Sequence, residues 1–92
     1  MRIISQNGAI DVPYETSAIR NDDGLIILCM AGETGKGSVI ARYSTSEKAE
    51  KAMEMLREKY KDYAKATNKS NFFTMFDYPK VFQFPQDEDV EV

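Results

Sequence analysis

Val39-Ile40-Ala41-Arg42-Tyr43-Ser44-Thr45-Ser46-Glu47-Lys48-Ala49 is the stretch where the hydrophobic pattern of this chain changes its period. Val39 to Tyr43, rich in β-branched and aromatic residues, reads as a short strand. After it, Ala49, Ala52, Met53, Leu56, Tyr60, Tyr63 and Thr67 recur at three- and four-residue steps, which predicts one long helix with a single apolar stripe. Ser44 followed three residues later by Glu47 predicts a capping box, in which the hydroxyl accepts from a free backbone amide and the carboxylate reaches back. Asn68 is the expected stop. A strand feeding directly into a long amphipathic helix requires a sheet for the apolar stripe to cover, and the flanking sequence supplies it.

Upstream, the unbroken apolar run Leu25-Ile26-Ile27-Leu28-Cys29-Met30 suits a strand covered on both faces, at the centre of a sheet. Asn21-Asp22-Asp23-Gly24 joins it to Ser17–Arg20 as a hairpin. Ile3 and Ile4 lead into Asn7-Gly8, after which Ile10, Val12 and Tyr14 alternate with polar residues. That pattern predicts another hairpin, with a turn needing positive φ at both central residues. Pro13 has no amide to donate and so belongs at an edge or a strand end. Downstream, Ser70 to Phe76 reads as a helical turn, and Pro79 and Pro85 fence a short final strand. The expected fold is α+β: an antiparallel meander of about five short strands with one long helix packed on one face and a short C-terminal strand. Residues 1–85 form a single domain on this reading, and residues 86–92 an acidic, partly disordered tail.

Composition narrows the chemistry. Ninety-two residues, 42% apolar and 29% charged, give too little chain for two independent cores. There is no His, which removes imidazole as general base, proton shuttle or metal ligand. The single Cys29 has no second cysteine for a disulfide and no histidine to activate it, and it reads as a small buried hydrophobe. No cofactor or metal is expected. The net charge of -3 gathers in the tail, where Asp87, Glu88, Asp89 and Glu91 have no base among them; the near-neutral body argues against direct nucleic-acid binding. Neither a secretory leader nor a membrane span can be read, so the expected location is the cytoplasm.

Four features invite a functional reading. The loop Gly32-Glu33-Thr34-Gly35-Lys36-Gly37-Ser38 could cradle an anion, but Met30 and Gly37 stand where a P-loop has its first Gly and its Ser or Thr. A flexible hairpin loop explains it as well. Phe72, Phe73, Phe76, Tyr78, Phe82 and Phe84 crowd into one segment, which either seals the core, forms a homo-oligomer interface or offers a stacking surface. On the helix, Glu50, Glu54, Glu58 and Asp62 form an acidic row beside the basic row Arg57, Lys61 and Lys65, the pattern of a solvated face laced with weak ion pairs. The acidic end could mimic nucleic-acid phosphates, or simply keep the chain soluble. Asp11, Glu15, Asp22, Asp23, Glu33 and Lys36 are the remaining groups for acid–base work, and they form no recognisable constellation.

Met1-Arg2-Ile3-Ile4-Ser5-Gln6-Asn7-Gly8 with Asp11-Val12-Pro13-Tyr14-Glu15 resembles the start of small phage- and prophage-encoded proteins of Gram-positive bacteria. Ala41-Arg42-Tyr43-Ser44-Thr45-Ser46-Glu47-Lys48-Ala49 through Ala52-Met53-Glu54-Met55-Leu56, and Phe82-Gln83-Phe84-Pro85 with its acidic end, are similar to the same family; together the segments cover about half the chain. The resemblance implies a phage accessory product acting inside the bacterial host cell, and it brings no catalytic residues with it. The expected function is non-catalytic, stoichiometric binding that counteracts a host defence, either by blocking a host protein or by sequestering a signalling nucleotide. Arg2, Arg20, Lys36 and Arg42, on or beside the sheet, are the cations available for a nucleotide's phosphates. A homo-oligomer is expected. The alternatives are a structural or assembly protein of the virion and a small enzyme working with carboxylates alone.

Overall fold

The computed structural model describes residues 1–30, 37–69 and 81–92, with side chains through residue 64 in the middle stretch. Chain order is β1 (Arg2–Ile4), β2 (Asp11–Pro13), a 3-10 turn (Tyr14–Thr16), β3 (Ser17–Asp22), β4 (Leu25–Met30), β5 (Ser38–Arg42), α1 (Ser46–Lys69), β6 (Val81–Gln83) and a 3-10 turn at Asp87–Asp89. The architecture is α+β. The strands do not form one meander, however, but two three-stranded sheets ordered β2-β1-β6 and β3-β4-β5. β6 pairs parallel to β1, with Ile3 opposite Phe82. A parallel neighbour needs a long connection, and here nearly the whole chain lies between the two strands, so local alternation could not announce the pairing.

The β3–β4 hairpin runs in register from Ser17↔Met30 to Asp22↔Leu25. Its two-residue loop has Asp23 at φ 51° and Gly24 at φ 95°, the mirror-image turn that matches strand twist. Gly24 is required twice over, since a Cβ there would also lie 2.8 Å from the Tyr43 carbonyl oxygen. At Asn7-Gly8 the expectation of two positive φ values is corrected: only Gly8 is left-handed. The Asn7 carboxamide oxygen instead accepts from the Ser5 hydroxyl (2.7 Å) and the Ala9 amide (3.0 Å), a side-chain-closed turn.

β4 is the central strand of its sheet. Ile26 and Leu28 enter the main core, and Ile27 is buried against the opposite face. A bulge opposite Ile26 and Ile27 lets β5 bury both Ile40 and Ala41. The helix lies across β3 and β4, with Ala49, Ala52 and Leu56 at 1% exposure or less. Its cap is one residue later than the sequence pattern indicates. Thr45 Oγ1 accepts from the Lys48 amide (3.1 Å), and with Lys48 rather than a glutamate at that third position no capping box forms.

Ser44, freed from capping, donates its amide (2.8 Å) and hydroxyl (3.1 Å) to Asp87 Oδ1. The Lys48 ammonium donates to the Asp87 carbonyl, and Val90 is 3% exposed. The acidic end, expected as a partly disordered tail, is therefore a packed segment of the domain. Composition counts Asp87 as one more solvated charge, whereas the fold gives it an amide, a hydroxyl and an ammonium. Phe82 and Phe84 are likewise core residues rather than an interface, buried with their rings edge to face at 5.2 Å. Phe72, Phe73 and Phe76, the rest of that expected interface, lie outside the described residues.

Gln6 joins the two sheets. Its amide nitrogen donates to the Ile40 carbonyl (2.8 Å), and its side chain meets Arg42 as a paired strand residue would: Oε1 accepts from the Arg42 amide (2.9 Å) and Nε2 donates to the Arg42 carbonyl (3.1 Å). Nε2 also donates to the Pro85 carbonyl, which accepts from the Tyr43 hydroxyl as well. Burial, followed by the nearby Asp87 carboxylate, pushes the Tyr43 phenol up, so it stays a donor at any physiological pH.

Candidate functional site

Of the four cations expected to meet a nucleotide, the three described lie on two different sheets, Arg2 on one and Arg20 and Arg42 on the other. Arg2 on β1 is taken by Asp11, through Nε to Oδ1 at 2.6 Å and Nη2 to the carbonyl. Arg20 sits opposite Ile27 on β3, with Nη1 3.9 Å from Cys29 Sγ. Arg42 is opposite Leu25 on β5. The register puts Arg20 and Arg42 on the face of the β3-β4-β5 sheet away from the helix, on the two strands flanking β4, while Arg2 belongs to the other sheet. Lys36 lies outside the described residues, as does most of its glycine-rich loop. Gly37, where that loop returns, is a packing requirement: a Cβ there would meet Leu28 O at 2.5 Å and Cys29 Sγ at 2.7 Å.

A different site emerges where β2 hands over to β3. The 3-10 turn brings Tyr14 and Glu15 beside Ser17 and Ile19 of β3, and the helix closes the far wall with Met53, Leu56, Arg57 and Tyr60 around a cleft of about 480 Å³. The helical positions are spaced three and four apart and so share one face, and Ser17 and Ile19 share a face by the strand's alternation. Tyr14 is set by its amide, which donates to the Met1 carbonyl (2.8 Å). Its ring lies 4.5 Å from that of Tyr60, which in turn is 5.9 Å from Tyr63. Ile19 and Leu56 make the apolar floor.

The polar groups of the cleft are unequally committed. Both Glu15 oxygens accept from the α-ammonium group of Met1, at 3.1 and 2.8 Å. That hydrogen bond holds the Glu15 carboxyl below its ordinary value. Ser17 Oγ donates to the Pro13 carbonyl at 2.6 Å. Arg57, by contrast, makes no ion pair within 4.0 Å among the described residues. With Glu15 balanced by the ammonium, the guanidinium is the uncompensated charge of the site.

Comparison with protein-family models, with curated proteins and with solved structures finds no match to this chain.

Arg57 and the two tyrosines do not stand out as a site in the sequence. Tyr60 counts as one more member of the apolar stripe, and Arg57 as one cation of a solvated row. Of the rest of that row, Lys61 lies 3.9 Å from Glu58, and the Lys65 side chain is outside the described residues; Lys51, which is not in the row, lies 3.5 Å from Glu54. The only local signal was an arginine directly beside the stripe, which places its guanidinium at the stripe's rim. Among the described residues no three acidic, cysteine or histidine side chains converge on a point where a metal could be held. No helix there is long and apolar enough to cross a membrane.

Proposed function

We propose that this protein is a phage accessory product that works by stoichiometric binding in the host cytoplasm, holding a host protein or a small signalling nucleotide and so opposing a host defence. The observation that carries this reading is the state of the cleft's reactive groups. A general base must be ready to take a proton near neutral pH. Glu15 is stabilised as a carboxylate by the ammonium it binds, and the Ser17 hydroxyl is already donating to a backbone carbonyl. Neither is poised to move a proton, while the aromatic wall and the guanidinium are suited to holding a ligand. The absence of histidine from the sequence and the phage-like segments at both ends support the same reading.

The test is a pull-down of the tagged protein from host cells, with mass spectrometry both of captured proteins and of small molecules released on heating. One captured species in fixed ratio to the chain, chemically unchanged, is the expected result. Multiple turnovers of any nucleotide or metabolite by the purified protein would overturn the proposal. Self-association is part of the same proposal, because a chain of this size buries a modest fraction of its surface alone; sedimentation showing a monomer at high micromolar concentration would remove it.

A further inference from the structure

The cleft between the Tyr14–Thr16 turn and α1 has a volume of about 480 Å³, within the ordinary range for small-molecule sites. Its chemistry specifies a ligand more narrowly than "host factor". Two of the lining residues are aromatic, Tyr14 and Tyr60, which pack on each other at 4.5 Å with a tilt of 37° and, being partly exposed, border the cleft beside Ile19, Met53 and Leu56. A planar ring gains from the parts of this pair left exposed, chiefly through edge contacts. The one carboxylate in the lining is balanced by a bidentate contact with the Met1 ammonium, so it neither repels an anion strongly nor is open to a cationic ligand. The one cation, Arg57, has no carboxylate within ion-pair distance among the described residues. It projects from the helix between Met53 and Tyr60, one turn from each. A guanidinium offers a planar fork that fits a phosphate or a carboxylate.

We propose that this cleft binds a small aromatic anion, with its ring against Tyr60 and Tyr14 and its anionic group on Arg57. The inference rests on the binding role proposed above and names the ligand class for it. Phosphate and carboxylate anions share this chemistry, so the two sources are separated by matched probes: AMP against adenosine, and phenylacetate against phenylacetamide. Each pair keeps its ring and removes the charge.

Amide chemical shifts of the native protein and of Arg57→Gln, followed by NMR during titration with the four probes, provide the test. Arg57 is on the surface, so the variant keeps the fold, which the dispersion of its own spectrum verifies. The expected result is that at least one anion moves the resonances of Tyr14, Ser17, Arg57 and Tyr60. It binds about tenfold tighter than its neutral mate, as one charge-assisted hydrogen-bonded contact gives. In Arg57→Gln the two bind alike. Whichever anion wins identifies the phosphate or carboxylate source. The inference is overturned if neutral and charged mates bind equally to the native protein, if Arg57→Gln keeps the preference, or if no probe shifts these residues at millimolar concentration. A host protein captured in fixed ratio by a chain whose cleft takes none of the probes would overturn this inference alone and leave stoichiometric binding standing. Turnover of a probe would overturn both.

Discussion

Replacing Gln6 with Met keeps the length of the side chain and removes the amide that ties the two sheets together. Three hydrogen bonds are lost, from Oε1 to the Arg42 amide and from Nε2 to the Arg42 and Pro85 carbonyls. At about 0.5–1.5 kcal/mol net each, their sum is of order 1.5–4.5 kcal/mol. The position is half-buried, so water reaches some of the stranded groups, and a loss of about 2–3 kcal/mol is expected. The backbone bonds of Gln6 to Ile40 and from Gln86 are untouched by the change. In urea, with a slope near 1 kcal/mol per M for a chain this small, the midpoint should fall by about 2–3 M. Gln6→Glu is the control. It keeps an acceptor for the Arg42 amide but turns a carboxylate toward two carbonyl oxygens, so at neutral pH it should lose at least as much as the methionine variant. The consequence reaches the cleft, because the Tyr14–Thr16 turn follows β2 of one sheet while the helix wall rests on the other. A methionine variant within about 0.5 kcal/mol of the parent, the range of ordinary surface substitutions, would refute the view that Gln6 couples the sheets.

Leu56→Ala, at a position 1% exposed beneath the cleft, should cost about 2–5 kcal/mol in the same urea assay. Gly24→Ala should destabilise by more than about 1 kcal/mol, because φ 95° is strained for alanine and the new Cβ would crowd the Tyr43 carbonyl, as thermal melting will show. Glu15 and Asp87 both have carboxyls held below their ordinary values of 4.5 and 3.8, Glu15 chiefly by the Met1 ammonium and Asp87 chiefly by the Ser44 amide. A depressed folded value means that their stabilisation is complete above those ordinary values and is lost as the pH falls through the folded ones. Stability should therefore drop on acidification below about pH 4.5, and Asp87→Asn should flatten part of that drop; an unchanged acid profile in the variant would count against the Asp87 contacts.

The elements with a local cause were legible in the sequence. The helix, the central β4 strand and the turn before Leu25 follow from period, apolar run length and the Asp-Gly pair. What escaped depends on partners far along the chain. β6 pairs with β1 across nearly the full sequence. Asp87 caps a backbone amide 43 residues away, and Gln6 substitutes for a strand beside Arg42. A hydroxyl at 44 and one at 45 look equally able to cap, and Asp87 decides between them by taking Ser44. The cleft failed to show for the same reason. Tyr14 and Tyr60 are each explicable as half-buried core residues, and only the docking of α1 against β3 brings them to 4.5 Å and leaves Arg57 at their edge.

The claim that this protein holds its ligand unchanged is tested most directly by mass balance on the small-molecule fraction. The native chain and Arg57→Gln, purified under mild conditions from the cells that express them, are heated, and the released material is quantified by mass spectrometry against chain concentration. The account predicts an aromatic anion released intact, in a fixed ratio of at most one per chain, and depleted from the variant. Product formed in excess of the chain, or an equal load on both proteins, would contradict it.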